Sequence, residues 1–163
     1  MEKGEQLPTV YYHSPIGIVE MKGTKAGVHS LYFVEQEEPV DLPIPAPLQA
    51  CADQIAEYFA GDRTDFSLKL APKGTNFQQK VWAELANIPY GTTTTYMHLA
   101  KQLGDTGAIR AVGTANGRNP ISIILPCHRV IGSDGKLRGY AGGLHRKQWL
   151  LEFEARGRQP KLF

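Results

Sequence analysis

The stretch that decides the organisation of the chain is ISIILPCHRV, residues 121–130, in which an apolar run leads into Cys127 and His128. Its first half is rich in β-branched residues, which favour strands. We therefore predict a buried strand over Ile121–Leu125 that delivers the cysteine. Because neighbouring side chains of a strand point to opposite faces, His128 would reach the thiol only through a water molecule or a bent backbone.

Cys127 is a candidate nucleophile. The thiolate is the reactive form of cysteine, and an ordinary thiol titrates at about pH 8.5, so reaction at neutral pH requires a nearby base or positive charge. His128 can act as the base if an acid orients it, and Glu152 and Glu154 are candidates for that acid. The same local pattern is also typical of an unreactive core cysteine, which is our interpretation of Cys51.

A metal site is not predicted. Cys127 and His128 are adjacent, whereas zinc ligands are usually separated by about two to four residues. The other histidines form no spaced cluster along the chain: His13, His29, His98 and His145. No phosphate-binding loop ending in Gly-Lys-Ser/Thr occurs either. We therefore expect the protein to need no metal and no other cofactor.

Two short helices are predicted before the cysteine segment. Thr95 can cap the first, which runs to Leu103, and a glycine-containing turn leads to the second over Ala108–Ala115. Two helices joined in this way resemble a helix-turn-helix. The second helix carries small side chains, which let a partner approach closely or let another helix pack on it: Ala111, Gly113, Thr114 and Ala115.

Further helices are predicted on either side of this pair. Thr75 can cap a helix that leads into the helix-turn-helix. The last helix is predicted over Leu144–Ala155. Its apolar stripe is predicted to consist of Leu144, Gln148, Leu151 and Ala155.

The first third of the chain predicts a different structure. Segments 10–13, 18–21 and 29–34 are strand-like and are separated by turns, which indicates a small antiparallel sheet. A proline-rich loop over 37–47 and a helix over Leu48–Phe59 follow. We predict an α+β protein with an N-terminal domain over residues 1–72 and a mainly helical domain over residues 73–163.

Charge is divided unevenly between these two parts. Residues 1–72 contain 5 Lys+Arg and 11 Asp+Glu, whereas residues 73–163 contain 13 Lys+Arg and 5 Asp+Glu. A basic half favours a polyanionic partner, although chance asymmetry of a solvated surface gives the same pattern. The composition is that of a globular protein, with 42% hydrophobic and 21% charged residues. Neither a secretory signal nor a long apolar run is present, so we expect a cytoplasmic protein.

Five motifs, in order, extend over nearly the whole chain. They are YHSPIG at 12–17, FQQKVW at 77–82 with IPYG at 88–91, RAVG at 110–113, NP at 119–120 with PCHRV at 126–130, and GYAGG at 139–143. Together they resemble the O6-alkylguanine-DNA alkyltransferase family. The resemblance implies an RNase H-like first domain and a winged-helix-like second domain. It also implies direct DNA repair, in which an alkyl group moves irreversibly from O6-alkylguanine, and from O4-alkylthymine, to Cys127 after base flipping.

The resemblance assigns roles in the reaction. Cys127 is the alkyl acceptor, His128 takes its proton through a water, and Glu154 orients His128. Asn119 braces the loop that presents the cysteine.

It also assigns the pocket for the flipped base. Tyr140 donates a hydrogen bond to the purine, and backbone groups near Val130 and Ala141 hold it. Tyr140 is also the candidate to protonate guanine as it leaves.

The implied partner is double-stranded DNA, bound in the minor groove by a protein that is a monomer in solution. Arg110 fills the space left by the flipped base, and Tyr96 presses on the adjacent phosphate. The other DNA-binding residues implied are Thr95, Ala111, Gly113, Thr114 and Arg118. Cooperative binding along DNA is left open.

Three other functions fit parts of the sequence. A non-catalytic alkylation sensor shares the fold but lacks the cysteine, whereas Cys127 is present here. A helix-turn-helix transcription factor would need a regulatory module for which the chain has no room. A cysteine hydrolase would use Cys127 and His128 with turnover, and would leave the basic half unexplained.

The charge asymmetry leads to a prediction about affinity. Binding to undamaged duplex DNA should be weak and should fall at least about tenfold between about 50 and 200 mM salt, because phosphate contacts release counterions. A titration at several salt concentrations measures this, and a flat dependence would show that the basic half does not contact phosphates.

Overall fold

The computed structural model describes residues 7–35, 43–137 and 139–158. Much of the predicted loop over 37–47, and the N-terminal residues 1–6, lie outside them. Two compact units are present, Met1–Lys73 and Gly74–Phe163. No helix of the described residues is long and apolar enough to cross a membrane.

The first unit contains an antiparallel sheet in the order β1-β2-β3. Its strands are β1 (Thr9–Ser14), β2 (Gly17–Thr24) and β3 (Gly27–Val34). The predicted antiparallel sheet is confirmed, and one of its faces buries apolar side chains: Val10, Val19, Met21 and Leu31.

Helix α1 (Gln49–Phe59) completes the core of the first unit. It buries Ile55 and Tyr58, and the predicted structural role of Cys51 agrees with its burial beside Met21, with 3.4 Å between the sulfurs. Burial raises the pKa of Cys51 to about 12, so this thiol remains protonated.

The second unit is mainly helical, and with the sheet of the first unit it confirms the predicted α+β class. Its helices are α2 (Asn76–Leu85), α3 (Tyr96–Gln102), α4 (Ile109–Gly117) and α5 (Leu144–Arg158). The strands β4 (Thr94–Thr95) and β5 (Val130–Ile131) pair in parallel.

The predicted helix starts of the second unit are confirmed. The Thr75 side chain accepts a hydrogen bond from the Gln78 amide, and the Gln78 side chain bonds back to Thr75. Thr95 caps α3 by accepting from the His98 amide.

The predicted small face of α4 is only partly correct. Ala115 is 2% exposed, and its carbonyl accepts a hydrogen bond of 2.9 Å from the Trp82 indole. This bond joins α2 to the inner side of α4. Ala111 and Thr114 remain exposed.

The predicted strand over Ile121–Leu125 is wrong. This segment is a buried turn, in which Ile123 has the left-handed φ of 72°. Its apolar residues are buried because the turn lies within the core of the second unit. A short apolar run is expected of a buried turn as well as of a buried strand, so the sequence does not distinguish the two. The backbone is bent at the next step as well, since Cys127–Arg129 is a 3-10 turn.

The predicted stripe of α5 is also wrong. Leu144 is 49% exposed, and Gln148 and Ala155 are exposed. The buried face consists instead of Lys147, Leu150 and Glu154, each 0% exposed. Apolar periodicity does not reveal this face because two of its three residues are charged.

Candidate active site

The site is built around the 3-10 turn Cys127–Arg129 in the second unit. The turn leads directly into β5, which pairs with β4 through Thr94 opposite Val130. Since β4 leads into α3, this pairing places the start of the helix-turn-helix beside the cysteine turn. Cys127 itself is 5% exposed.

Asn119 holds the segment before the cysteine. Its Nδ2 donates to the Leu125 carbonyl at 2.7 Å, and its Oδ1 accepts from the Ile121 amide at 2.9 Å. One buried side chain therefore fixes both ends of the turn that contains Ile123. These bonds offset the cost of the left-handed conformation, which is unfavourable for a β-branched residue.

His128, Arg129 and Glu154 form a buried cluster. Glu154 Oε2 lies 2.7 Å from His128 Nε2, and Glu154 Oε1 lies 2.7 Å from Arg129 Nε. Arg129 makes a second bond to Glu154 Oε2 at 2.9 Å and a third to the Ile88 carbonyl at 2.7 Å. Of the two acids considered, Glu154 therefore contacts His128. Glu152 is exposed and bonds to Gln148.

The cluster fixes the charge state of its members. Burial alone would raise the pKa of Glu154, but the hydrogen bonds and charges of His128 and Arg129 outweigh burial and hold this pKa far below its usual range. Burial lowers the pKa of His128, against the opposing effect of Glu154. Glu154 is thus ionised and His128 neutral at pH 7.

One nitrogen of His128 remains available for chemistry. Nε2 is bonded to Glu154, whereas Nδ1 is buried and has no hydrogen-bond partner among the described residues. A buried polar atom of this kind usually bonds to an ordered water. If Nε2 carries the proton, Nδ1 is the basic nitrogen.

The thiol of Cys127 is held in its neutral form in the resting site. Burial raises its pKa to about 11, although hydrogen bonding by Asn119 and the charge of Lys147 act in the opposite direction. Loss of the thiol proton at neutral pH therefore requires a base that accepts it or a positive charge that stabilises the thiolate.

A cavity of about 480 Å³ lies beside the helix-turn-helix. Its walls include Tyr96 of α3, Gly113 of α4, and Tyr140 and Ala141 of the following loop. The Tyr140 hydroxyl is buried and has no hydrogen-bond partner in the described part of the chain. Burial and the nearby Cys127 raise the pKa of Tyr140 well above its usual value, so the hydroxyl keeps its proton.

Val130 is buried, whereas Ala141 is exposed. The Val130 side chain is 0% exposed, and its amide donates to the Cys127 carbonyl to close the 3-10 turn.

The remaining predicted residues lie on α4, just after it, or at the start of α3. Arg110, in its first turn, is exposed, and Gly113 is half-buried. Arg118 is exposed just after the helix, whereas Thr95 is half-buried as the cap of α3. The exposed surface of α4 therefore carries small side chains in its middle and one cation near each end, Arg110 and Arg118.

Three buried polar residues of this site were not predicted from the sequence. Arg129 bonds to Glu154, Lys147 lies on the buried face of α5, and Asn116 donates to the Cys127 carbonyl at 3.5 Å. Arg129 lies within the motif at 126–130, which was the available signal. Lys147 and Asn116 carried no signal, because charged and amide residues on a helix are usually solvated. No cluster of three or more His, Cys, Asp or Glu suited to a metal was found within the described ranges.

The fold and the site define a class of protein that has a sheet unit followed by a helix-turn-helix unit with a buried cysteine. Two family models match this chain, one over each unit. Residues 9–72 match the 6-O-methylguanine DNA methyltransferase, ribonuclease-like domain, and residues 76–156 match its DNA binding domain. The chain belongs to the 6-O-methylguanine DNA methyltransferase family.

Relatives match over most of their length. A methylated-DNA–protein-cysteine methyltransferase of Methanosarcina barkeri is 47% identical over 89% of this chain and 97% of its own. One of Mycobacterium bovis is 50% identical over 86% and 88%. The crystal structure of the Mycobacterium tuberculosis O6-methylguanine methyltransferase has a TM-score of 0.85 at 44% identity, covering 96% of this chain and 98% of that one. A structure of the M. tuberculosis protein in complex with DNA has a TM-score of 0.82 at 47% identity, over 90% and 92%.

The buried cluster generates a stability prediction. Arg129→Met should lower the free energy of unfolding by about 3–5 kcal/mol, because it leaves the Glu154 carboxylate buried without its main cation. Urea denaturation measures the change. Arg63→Met is the matched control: Arg63 also lies 2.7 Å from a glutamate, Glu57, but both side chains are partly exposed. Its loss should cost less than about 1 kcal/mol. Similar losses in the two variants would contradict the structural importance of the Glu154 cluster.

Proposed function

We propose that this chain repairs alkylated DNA directly, by moving an alkyl group from the O6 atom of guanine to the Cys127 sulfur, once per molecule. The observation that carries the proposal is the buried Cys127 turn, which is bonded through His128 and Arg129 to Glu154 and lies in the unit that carries the helix-turn-helix. Family membership supports the same reaction. O4-alkylthymine is a further substrate of this proposal.

DNA binding is the first step of the proposal. The exposed surface of α4 enters the minor groove, where Ala111, Gly113 and Thr114 let the helix backbone approach closely. Arg110 and Arg118 add positive charge at its ends. Thr95 and Tyr96, at the start of α3, contact the phosphate beside the target nucleotide. The M. tuberculosis relative crystallised in complex with DNA supports this step.

Base flipping is the second step, because a thiolate cannot reach the O6 alkyl group inside a duplex. Arg110 fills the stack that the guanine leaves. The cavity lined by Tyr96, Tyr140 and Ala141 takes the extruded base. Backbone groups of Ala141, and of the turn that ends at Val130, contact its edge.

Transfer is the third step. The Cys127 proton passes through a water to Nδ1 of His128, while Glu154 holds Nε2 and balances the positive charge. The sulfur attacks the alkyl carbon, so that the S–C bond forms as the C–O6 bond breaks and its electron pair goes to guanine. Tyr140 donates the proton that guanine takes up. Asn119 keeps the sulfur in place during attack.

The product is a thioether, which has no easy route back to a thiol, so each molecule reacts once. All the residues of the site belong to the second unit of one chain. We therefore propose that residues 73–163 form the DNA-binding and active-site domain, and that a monomer is sufficient for repair.

Cys127→Ser should abolish alkyl transfer and leave affinity for DNA within about threefold, because the thiol supplies chemistry rather than phosphate contacts. Transfer of label from radiolabelled O6-methylguanine DNA measures alkyl transfer, and a binding titration measures the affinity for DNA. With excess DNA the unmodified chain should accept one methyl group per molecule. Removal of more than one methyl group from the DNA per protein molecule would indicate turnover, as in a hydrolase, and labelling of Cys127→Ser would identify another acceptor.

Arg110→Ala should slow repair of duplex DNA at least about tenfold, because unstacking a base costs a few kcal/mol and each 1.4 kcal/mol is about a factor of ten in rate. Reaction with free O6-benzylguanine should hardly change, since that base is already outside a stack. Single-turnover rates on both substrates measure the difference. Arg156→Ala, which removes an exposed cation of α5, is the control for net charge. Equal losses on both substrates would show that Arg110 supports the pocket or the fold instead.

A further inference from the structure

The IPYG motif at 88–91 contacts the buried cluster at two backbone positions. The Ile88 carbonyl accepts a hydrogen bond of 2.7 Å from Arg129 Nη1. Three residues later, the Gly91 amide donates to Glu154 Oε1 at 3.4 Å. Gly91 has the left-handed φ of 75°, which glycine adopts at low cost and which lets the loop turn there. The loop therefore touches both members of the buried charge pair.

Tyr90, between these two positions, contacts the guanidinium of the same arginine. Arg129 donates through Nε and Nη2 to Glu154 and through Nη1 to the Ile88 carbonyl. The Tyr90 ring centroid lies 5.6 Å from Arg129 Cζ, which is within the range of a cation–π contact. Because Arg129 is only 5% exposed, water weakens the attraction between the ring and the cation little. The ring therefore adds a fourth contact to the three hydrogen bonds of the guanidinium.

The hydroxyl end of Tyr90 packs against Gly157, in the last turn of α5. A Cβ atom at position 157 would lie 2.7 Å from the Tyr90 hydroxyl oxygen and 3.2 Å from its Cε1, so only glycine fits against the ring in this position. Glycine is unfavourable in a helix relative to alanine, and Gly157 is not in the left-handed conformation of a helix cap. The close approach of Tyr90 gives a physical reason for glycine here. The Tyr90 side chain therefore joins Arg129 of the cysteine turn to the end of the helix that carries Glu154.

We propose that Tyr90 is a positioning residue for His128. Packed against Gly157, its ring holds Arg129 on Glu154, and Glu154 in turn orients the imidazole. The inference rests on the proposed function, since His128 is the base of that reaction. Tyr90 acts through Arg129 and Glu154 and not on the cysteine sulfur itself.

The effect of Tyr90 on His128 depends on one carboxylate oxygen. Glu154 Oε2 lies 2.7 Å from His128 Nε2 and 2.9 Å from Arg129 Nη2. A displacement of the guanidinium therefore moves the oxygen on which the orientation of His128 depends. A cavity of about 300 Å³ is lined by Glu154 and Gly91, so solvent can approach the carboxylate from that side. Loss of the Tyr90 ring would let water approach Arg129 as well, and would weaken the charge pair.

The first test compares Tyr90→Leu with Tyr90→Phe in the single-turnover reaction with free O6-benzylguanine. Tyr90→Leu should lower the maximum rate at least about fivefold, because it removes the ring from the cation. Tyr90→Phe keeps the ring and should keep at least about half of the rate. The concentration of O6-benzylguanine that gives the half-maximal rate should change less than about twofold in both, since other residues line the base cavity.

Tyr32→Leu, at an exposed tyrosine of β3, is the control and should react like the unmodified chain. A full rate in Tyr90→Leu, or an equal loss in Tyr90→Phe, would overturn the inference.

The second test uses Gly157 to displace Tyr90 without substituting it. Gly157→Ala should also lower the rate about fivefold, because the new Cβ cannot lie 2.7 Å from the hydroxyl oxygen. Combining Gly157→Ala with Tyr90→Phe removes that oxygen and should restore at least about half of the rate, a coupling that a double-mutant cycle measures. Alanine favours the helix, so urea denaturation should show no loss of stability in the double variant. A loss of rate that persists in the double variant, or a full rate in Gly157→Ala, contradicts the role of Tyr90.

An NMR signal of His128 reports the positioning directly. The Nε2 proton exchanges slowly with water only while Glu154 binds it, so its signal, assigned through His128→Gln, should be visible at pH 7 in the unmodified chain. The signal should be lost in Tyr90→Leu, although that variant still unfolds cooperatively in urea, and kept in Tyr90→Phe. Equal signals in all of these chains, or none in the unmodified chain, would show that Tyr90 does not position His128.

The proposed function is tested separately by methyl transfer from O6-methylguanine DNA to the unmodified chain. If that transfer fails while the His128 signals differ as expected, the function is wrong and the positioning role of Tyr90 stands. If transfer succeeds while the signals and rates of the Tyr90 variants coincide, the positioning role is wrong and the function stands.

Discussion

The rest of the site depends on one carboxylate, that of Glu154, shared by Arg129 and His128 inside the core. An isolated buried carboxylate would be costly, and it is tolerable here because two side chains of the cysteine turn satisfy both oxygens. The same bonds also fix the orientation of the cysteine turn relative to α5. The same interaction therefore holds α5 against the turn, selects one nitrogen of His128 as the available base and fixes the position of the Cys127 sulfur.

Burial has opposite consequences for the members of the site. It favours the neutral forms of Cys127, His128 and Tyr140, whereas the hydrogen bonds from His128 and Arg129 keep Glu154 charged. A neutral histidine can accept a proton and a neutral tyrosine can donate one. The thiol alone is placed in the form that does not react. Its ionisation therefore needs a base, and the charge of Glu154 on α5 matters because it orients His128, the candidate base.

Several predictions from local pattern are confirmed because they concern interactions between near neighbours in sequence. The caps at Thr75 and Thr95 need only a side chain and an amide three residues later. The antiparallel sheet of β1–β3 needs only short strand-like segments separated by tight turns. By contrast, the predicted strand before Cys127 is wrong. Asn119 bonds to both ends of this segment and holds it in a turn. The composition of the segment does not predict such bonds from a side chain outside it.

The α+β class, the helix-turn-helix and the motif that contains Cys127 and His128 follow from the sequence alone, because each depends on short-range spacing or on residue types in a fixed order. Local pattern left Glu152 and Glu154 open as the acid, and the family resemblance assigned Glu154. The contact of Glu154 with His128 is visible only in the folded chain, where the two acids occupy different sides of α5. Only the tertiary structure decided that Lys147 is buried. The physical reason is the same in both cases. A charged residue is expected in water, and it enters a core only where partners distant in the chain compensate its charge, so its burial is a property of the assembled fold.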